Sequence, residues 1–97
     1  MPSQNVHARS FQDVQDFVYK TLCEHEQLEI GVFPMTEKVL RKKQTPCGVY
    51  FCLHGPRSVK FTAIWESENN RVLFYGSDGE RFHNQNILTT KKIEIRG

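Results

Sequence analysis

The sequence predicts an α+β domain in which one N-terminal amphipathic helix covers one face of an antiparallel β-meander of about four to six strands. Three observations carry that prediction. Apolar residues recur at helical spacing from Phe11 to Leu22. From Cys47 to Phe82 the pattern switches to strand alternation, interrupted by turn-forming residues. The parity of those turns then gathers most of the large apolar side chains onto one face.

The helix is expected over residues 11–26. Ser10 reads as its N-cap, with Asp13 as the acidic partner of a capping box. Phe11, Val14, Phe17, Val18 and Leu22 share one stripe, while Asp13, Asp16, Lys20 and Glu24 lie away from it. Asp16 and Lys20 are four apart in the favourable order for an ion pair. The polar residues before Ser10 read as a flexible arm (1–9), which leaves 10–97 as a single domain.

A connector over Leu28–Phe33 ends at Pro34, and Met35–Lys43 reads as an edge strand. Its lysines and arginine, Lys38, Arg41, Lys42 and Lys43, suit a strand that must not pair with a neighbour's sheet. Gln44-Thr45-Pro46 is read as the following turn. In the central stretch Val49, Phe51 and Leu53 share a face, as do Val59, Phe61, Ala63 and Trp65. An odd-length loop, Gly55-Pro56-Arg57, keeps the two sets together and sets Leu53 opposite Val59 and Phe51 opposite Phe61. The turn Ser67–Asn70 sets Trp65 opposite Val72 or Phe74, and Ile64 opposite Leu73 or Tyr75. Ser77-Asp78-Gly79 reads as a three-residue hairpin loop with Gly79 left-handed. That loop sets Phe74 opposite Phe82, Tyr75 opposite Arg81 and Leu73 opposite His83. The last strand is expected to fray near Asn84–Asn86, with Thr90–Arg96 forming a final charged edge strand, or with residues 87–96 folding over the open face.

The face away from the helix then carries Tyr50, Cys52, His54, Lys60, Thr62, Ile64, Glu66, Leu73, Tyr75, Arg81 and His83. Tyrosines and an arginine around an apolar centre resemble the make-up of interface cores. The expected function is therefore a small non-enzymatic interaction module of the adaptor or scaffold kind. It would bind a protein partner, or a second copy as a homodimer, through this face or an edge strand. Tyr50, Ile64, Leu73, Tyr75 and Arg81 are the expected contacts.

Single-stranded RNA binding is the first alternative, with Lys42, Lys43 and Lys60 adding phosphate contacts to the same aromatic face. The net charge of +2 weighs against it, because a nucleic-acid-binding domain is ordinarily far more basic. A thiol enzyme centred on Cys52 is the second alternative. Cys52 and His54 point the same way on one strand, but neither an orienting third group nor an oxyanion site accompanies them. The three cysteines and four histidines show no metal-binding spacing, and the glycines never cluster into a phosphate-cradling loop. No cofactor or metal is expected. No apolar run has bilayer-spanning length, so no membrane partner is expected either. An odd cysteine count without a framework fits free thiols in a reducing cytoplasm or nucleus.

Overall fold

The computed structural model describes residues 6–95. Its elements are β1 (Val6–His7), α1 (Phe11–His25), β2 (Met35–Lys42), β3 (Thr45–His54), β4 (Lys60–Glu66), β5 (Arg71–Tyr75) and β6 (Arg81–Leu88). They form one six-stranded sheet in the order β1-β6-β5-β4-β3-β2, with α1 on one side. The α+β prediction is borne out, and β2 to β6 are the expected antiparallel meander. One pair departs from it: β1 runs parallel to β6 and closes the far edge.

Within the stretch read as a loose arm (1–9), residues 6–8 bond to β6. Val6 and His7 pair with Ile87 and Leu88, and the Ala8 N–H donates to the Leu88 carbonyl at 3.0 Å. Ala8 is buried. The chain has to cross the sheet edge to start α1, and a small apolar residue lets it pass close to the core. Residues 1–5, Arg96 and Gly97 lie outside the described residues.

The helix begins at its expected cap, where Ser10 Oγ accepts the Asp13 N–H at 3.3 Å. The reciprocal half of the capping box is displaced by one residue: Asp13 Oδ2 accepts from Arg9 N–H at 2.8 Å. Such a cap is worth about 1 kcal/mol. The exposed ion pair joins Lys20 to Glu24 (3.9 Å), while Asp16 accepts instead from Gln12. Val14, Val18 and Leu22 are fully buried. Each contributes on the order of 1.5–3 kcal/mol of burial. Phe11 stacks on Trp65 with centroids 5.9 Å apart, and Phe17 meets Phe74 edge-on at 5.8 Å. Tyr19 holds the connector: its hydroxyl donates to the Phe33 carbonyl (2.7 Å) and accepts the Gly31 N–H (2.9 Å).

Three hairpin registers refine the expectations. Lys43 and Gln44 both have positive φ (51° and 69°) and make a tight turn by themselves, so Thr45 and Pro46 already belong to β3. Pro46 is tolerated there because β4 ends at Glu66, opposite Gly48. The β3–β4 loop is odd, as parity required, but longer. Pro56–Ser58 form a 3-10 turn, which moves the pairing to Leu53–Phe61 and Phe51–Ala63 and preserves the faces. The β4–β5 turn gives Trp65–Val72 and Ile64–Leu73.

The fourth register, between β5 and β6, changes the faces. The Ser77–Gly79 loop has Gly79 at φ +82° and is closed by Gly76 N–H to Glu80 O at 3.0 Å. Tyr75 duly faces Arg81, but a bulge follows, so Phe74 faces His83 and Leu73 faces Asn84. Phe82 is the extra residue of the bulge. Both Phe82 and His83 turn their rings toward Phe74 (centroids 6.0 and 5.6 Å), and Phe82 also stacks flat on His25 of α1 at 3.6 Å. Beyond the bulge β6 does not fray at Asn84–Asn86. It continues through Leu88, with Ile87 buried in the core.

After Leu88 the described chain has no further strand. Ile93 enters the core and Ile95 packs against it. Among the described residues, no helix is long and apolar enough to cross a membrane.

Candidate interaction surface

Side-chain alternation fixes what the second sheet face carries. Row by row, Lys38, Tyr50, Ile64, Leu73 and Asn84 cross it from β2 to β6. The next row is Thr36, Cys52, Thr62, Tyr75 and Arg81. The five residues expected as contacts thus occupy two adjacent rows. Tyr50, Ile64 and Tyr75 are half-buried and Arg81 is exposed. Leu73, at the centre of the sheet, is only 8% exposed. The C-terminal segment goes to the other side instead: Lys91–Glu94 line a shallow cleft with the first turns of α1.

The bulge in β6 removes His83 from this face and substitutes Asn84 and Asn86. Sequence parity missed those two because it assumed an unbroken ladder. It also missed the contribution of β2, namely Thr36, Lys38 and Leu40, which only the β2–β3 register could assign. In the next row Arg71, which was not among the residues expected on this face, pairs with Glu66, Nε to Oε1 at 2.6 Å, on the half-exposed surface. The alternation of Glu66 with Trp65 was a usable signal for it. An exposed pair of this kind is worth at most about 1 kcal/mol.

The lysines of the nucleic-acid alternative are not brought together. Lys42 pairs with Thr45 at one end of β3, and Lys43 lies in the adjoining turn. Lys60 pairs with His54 at the other end. Strand rise puts the ends on the order of 30 Å apart at about 3.3 Å per residue.

His54 is held by the edge strand. Its Nε2 lies 2.9 Å from Thr36 Oγ1, in hydrogen-bonding contact. Cys52 sits beside that pair, opposite Thr62 and Thr36, and is 8% exposed. All three cysteines are free thiols. Cys23, fully buried on α1, has its thiol pushed above the ordinary range by burial, and a hydrogen bond with Tyr19 opposes that with smaller effect. Among the described residues, no group of three or more His, Cys, Asp or Glu side chains could hold a metal ion.

Compared with protein-family models, curated proteins and solved structures, the chain matches none.

Proposed function

We propose that this protein is a non-enzymatic interaction module that binds a protein partner through the sheet face opposite α1 or through an edge strand of that sheet. The observation that carries the reading is one-sidedness. The helix and the C-terminal segment both pack on one side. On the other, half-buried Tyr50, Ile64 and Tyr75 with Arg81 surround Leu73. Rigid tyrosines supply large contact area at little entropic cost, and arginine supplies directional donors, so such a patch favours a protein surface.

The test is retention of partners on immobilised protein, with wild type compared against Tyr75→Ala and Arg81→Ala. Both side chains lie at the surface of the sheet, so the variants keep the thermal midpoint within a few degrees. Loss of a specifically retained protein by at least tenfold in either variant is expected. Retention of the same proteins by wild type and both variants ends the open-face reading. Sedimentation at increasing concentration identifies the case in which the partner is a second copy of the chain.

A further inference from the structure

Among the described residues, the outer edge of β2 has both an unused hydrogen-bonding ladder and a charge. In an antiparallel pair, alternate residues of a strand bond to the neighbour and the others point away. His54 N–H donates to the Pro34 carbonyl at 2.9 Å, which fixes the phase. Pro34, Thr36, Lys38 and Leu40 therefore face β3. The N–H and C=O groups of Met35, Glu37 and Val39 face outward, and β2 is the last strand of the sheet. The irregularity between Leu40 and Arg41 puts the extra residue, Cys47, on β3, so the outer ladder of β2 stays regular.

Proteins blunt such edges with charge, and β2 has charge of one sign. Residues 35–44 contain Lys38, Arg41, Lys42 and Lys43 against one acid, Glu37. That net of three positive charges exceeds the +2 of the whole chain, so all other residues together are slightly acidic. Glu37 is moreover engaged by the Gln15 amide at 2.5 Å. Two copies of β2 set edge to edge would bring these positive charges together, which opposes self-pairing. A negatively charged strand would be drawn in.

We propose that β2 accepts an extended acidic segment of a partner protein as an added strand. The segment's backbone bonds to Met35, Glu37 and Val39. Its carboxylates, on the open-face side, meet Lys38 and Lys42, and aliphatic residues on its other side meet Met35 and Val39. This deepens the interaction-module reading and rests on it, because the added strand would continue the row that contains Lys38 and Tyr50.

The probe is a fluorescein-labelled octapeptide alternating valine and glutamate, followed by fluorescence polarisation. Its controls are the same peptide N-methylated at alternate residues, a valine–lysine peptide and a single-stranded oligonucleotide. Val39→Pro removes an outward N–H and none of the β3 ladder, so it blocks the edge at a position that tolerates proline. The expected result is at least tenfold weaker binding for Val39→Pro, for the N-methylated peptide and for Lys38→Glu/Lys42→Glu, with Tyr75→Ala unchanged. N-methylation leaves the protein intact, so that arm decides even where Val39→Pro fails to fold. Equal binding of the N-methylated and parent peptides overturns the proposal, as does an oligonucleotide that binds as tightly as the peptide. Loss of binding in Tyr75→Ala alone places the contact on the open face, overturning the strand addition while sparing the module reading. A wild-type protein that does not bind the octapeptide overturns strand addition, whereas partner retention that survives Tyr75→Ala and Arg81→Ala is what defeats the open-face reading.

Discussion

The indole N–H of Trp65 donates to Asn70 Oδ1 at 3.2 Å across the turn joining β4 to β5. Trp65 is 1% exposed and cannot reach water for this bond. Asn70 serves the turn in two further ways. Its φ is +50°, and its carbonyl accepts the Ile87 N–H of β6 at 2.8 Å. Asn70→Ala removes the side-chain acceptor and strains the backbone. The acceptor loss costs about 1–3 kcal/mol, and the left-handed backbone adds roughly 1–2 kcal/mol. Asn70→Gly relieves the strain but not the orphaned indole. Urea unfolding followed by tryptophan fluorescence should rank wild type above Gly and Gly above Ala. Equal midpoints for all three would show that the bond contributes nothing.

Gly48 stands where no side chain fits. A Cβ built there would lie 2.4 Å from the Trp65 carbonyl oxygen, an atom of the backbone that cannot swing aside. Gly48→Ala must therefore push β3 and β4 apart at the end of their ladder, beside the Cys47 bulge. Overpacking of this kind costs typically about 1–3 kcal/mol. A lowered thermal midpoint is expected. Hydrogen exchange should also speed up at Trp65 and Glu66 and stay unchanged at the far end, at Leu53 and Phe61. Uniform loss of protection would instead mean a purely global effect.

Burial of the Cys23 thiol links stability to alkaline pH. Its folded pKa lies above the ordinary value of 9.0, so the native state holds the proton more tightly than the unfolded chain does. The stabilising contribution is full below the unfolded pKa and is lost as pH rises through the folded one. Wild type should therefore lose stability above about pH 9 more steeply than Cys23→Ala. The variant is less stable at neutral pH because it leaves a small cavity. Parallel stability–pH curves for the two proteins would exclude the linkage.

Face assignments were legible in the sequence wherever a turn preserved parity. The β3–β4 loop came out longer than expected, yet Phe51, Leu53, Phe61 and Trp65 stay in the core because the loop remains odd. They were illegible past the β6 bulge, because Phe82 has a better partner than a straight ladder offers: the His25 ring on α1. That contact is tertiary, and alternation contains no trace of it. The same holds for β1, whose two residues pair only with a strand some eighty positions away in the chain. The five expected contact residues fell on one face because all precede the bulge or sit at its start. The contribution of β2 to that face depended on strand order, which periodicity does not encode.

Thiol chemistry gives the remaining test, because it separates the interaction module from its thiol-enzyme alternative. A catalytic Cys52 requires an imidazole free to take its proton. In the structure His54 Nε2 contacts Thr36 Oγ1 rather than Cys52, and Cys52 is mostly covered. Cys23 is fully buried, whereas Cys47 is only half-buried at the bulge. Iodoacetamide at neutral pH, with labelled sites read by mass spectrometry, should therefore modify Cys47 first and Cys23 last. Cys52 should react no faster than a small-molecule thiol, and Thr36→Ala should not accelerate it more than a few-fold. Labelling of Cys52 ahead of Cys47, or a rate that rises on a pH curve centred well below the ordinary thiol range, would reveal an activated nucleophile. That outcome would shift the functional reading from docking to catalysis at the Cys52–His54 end of β3.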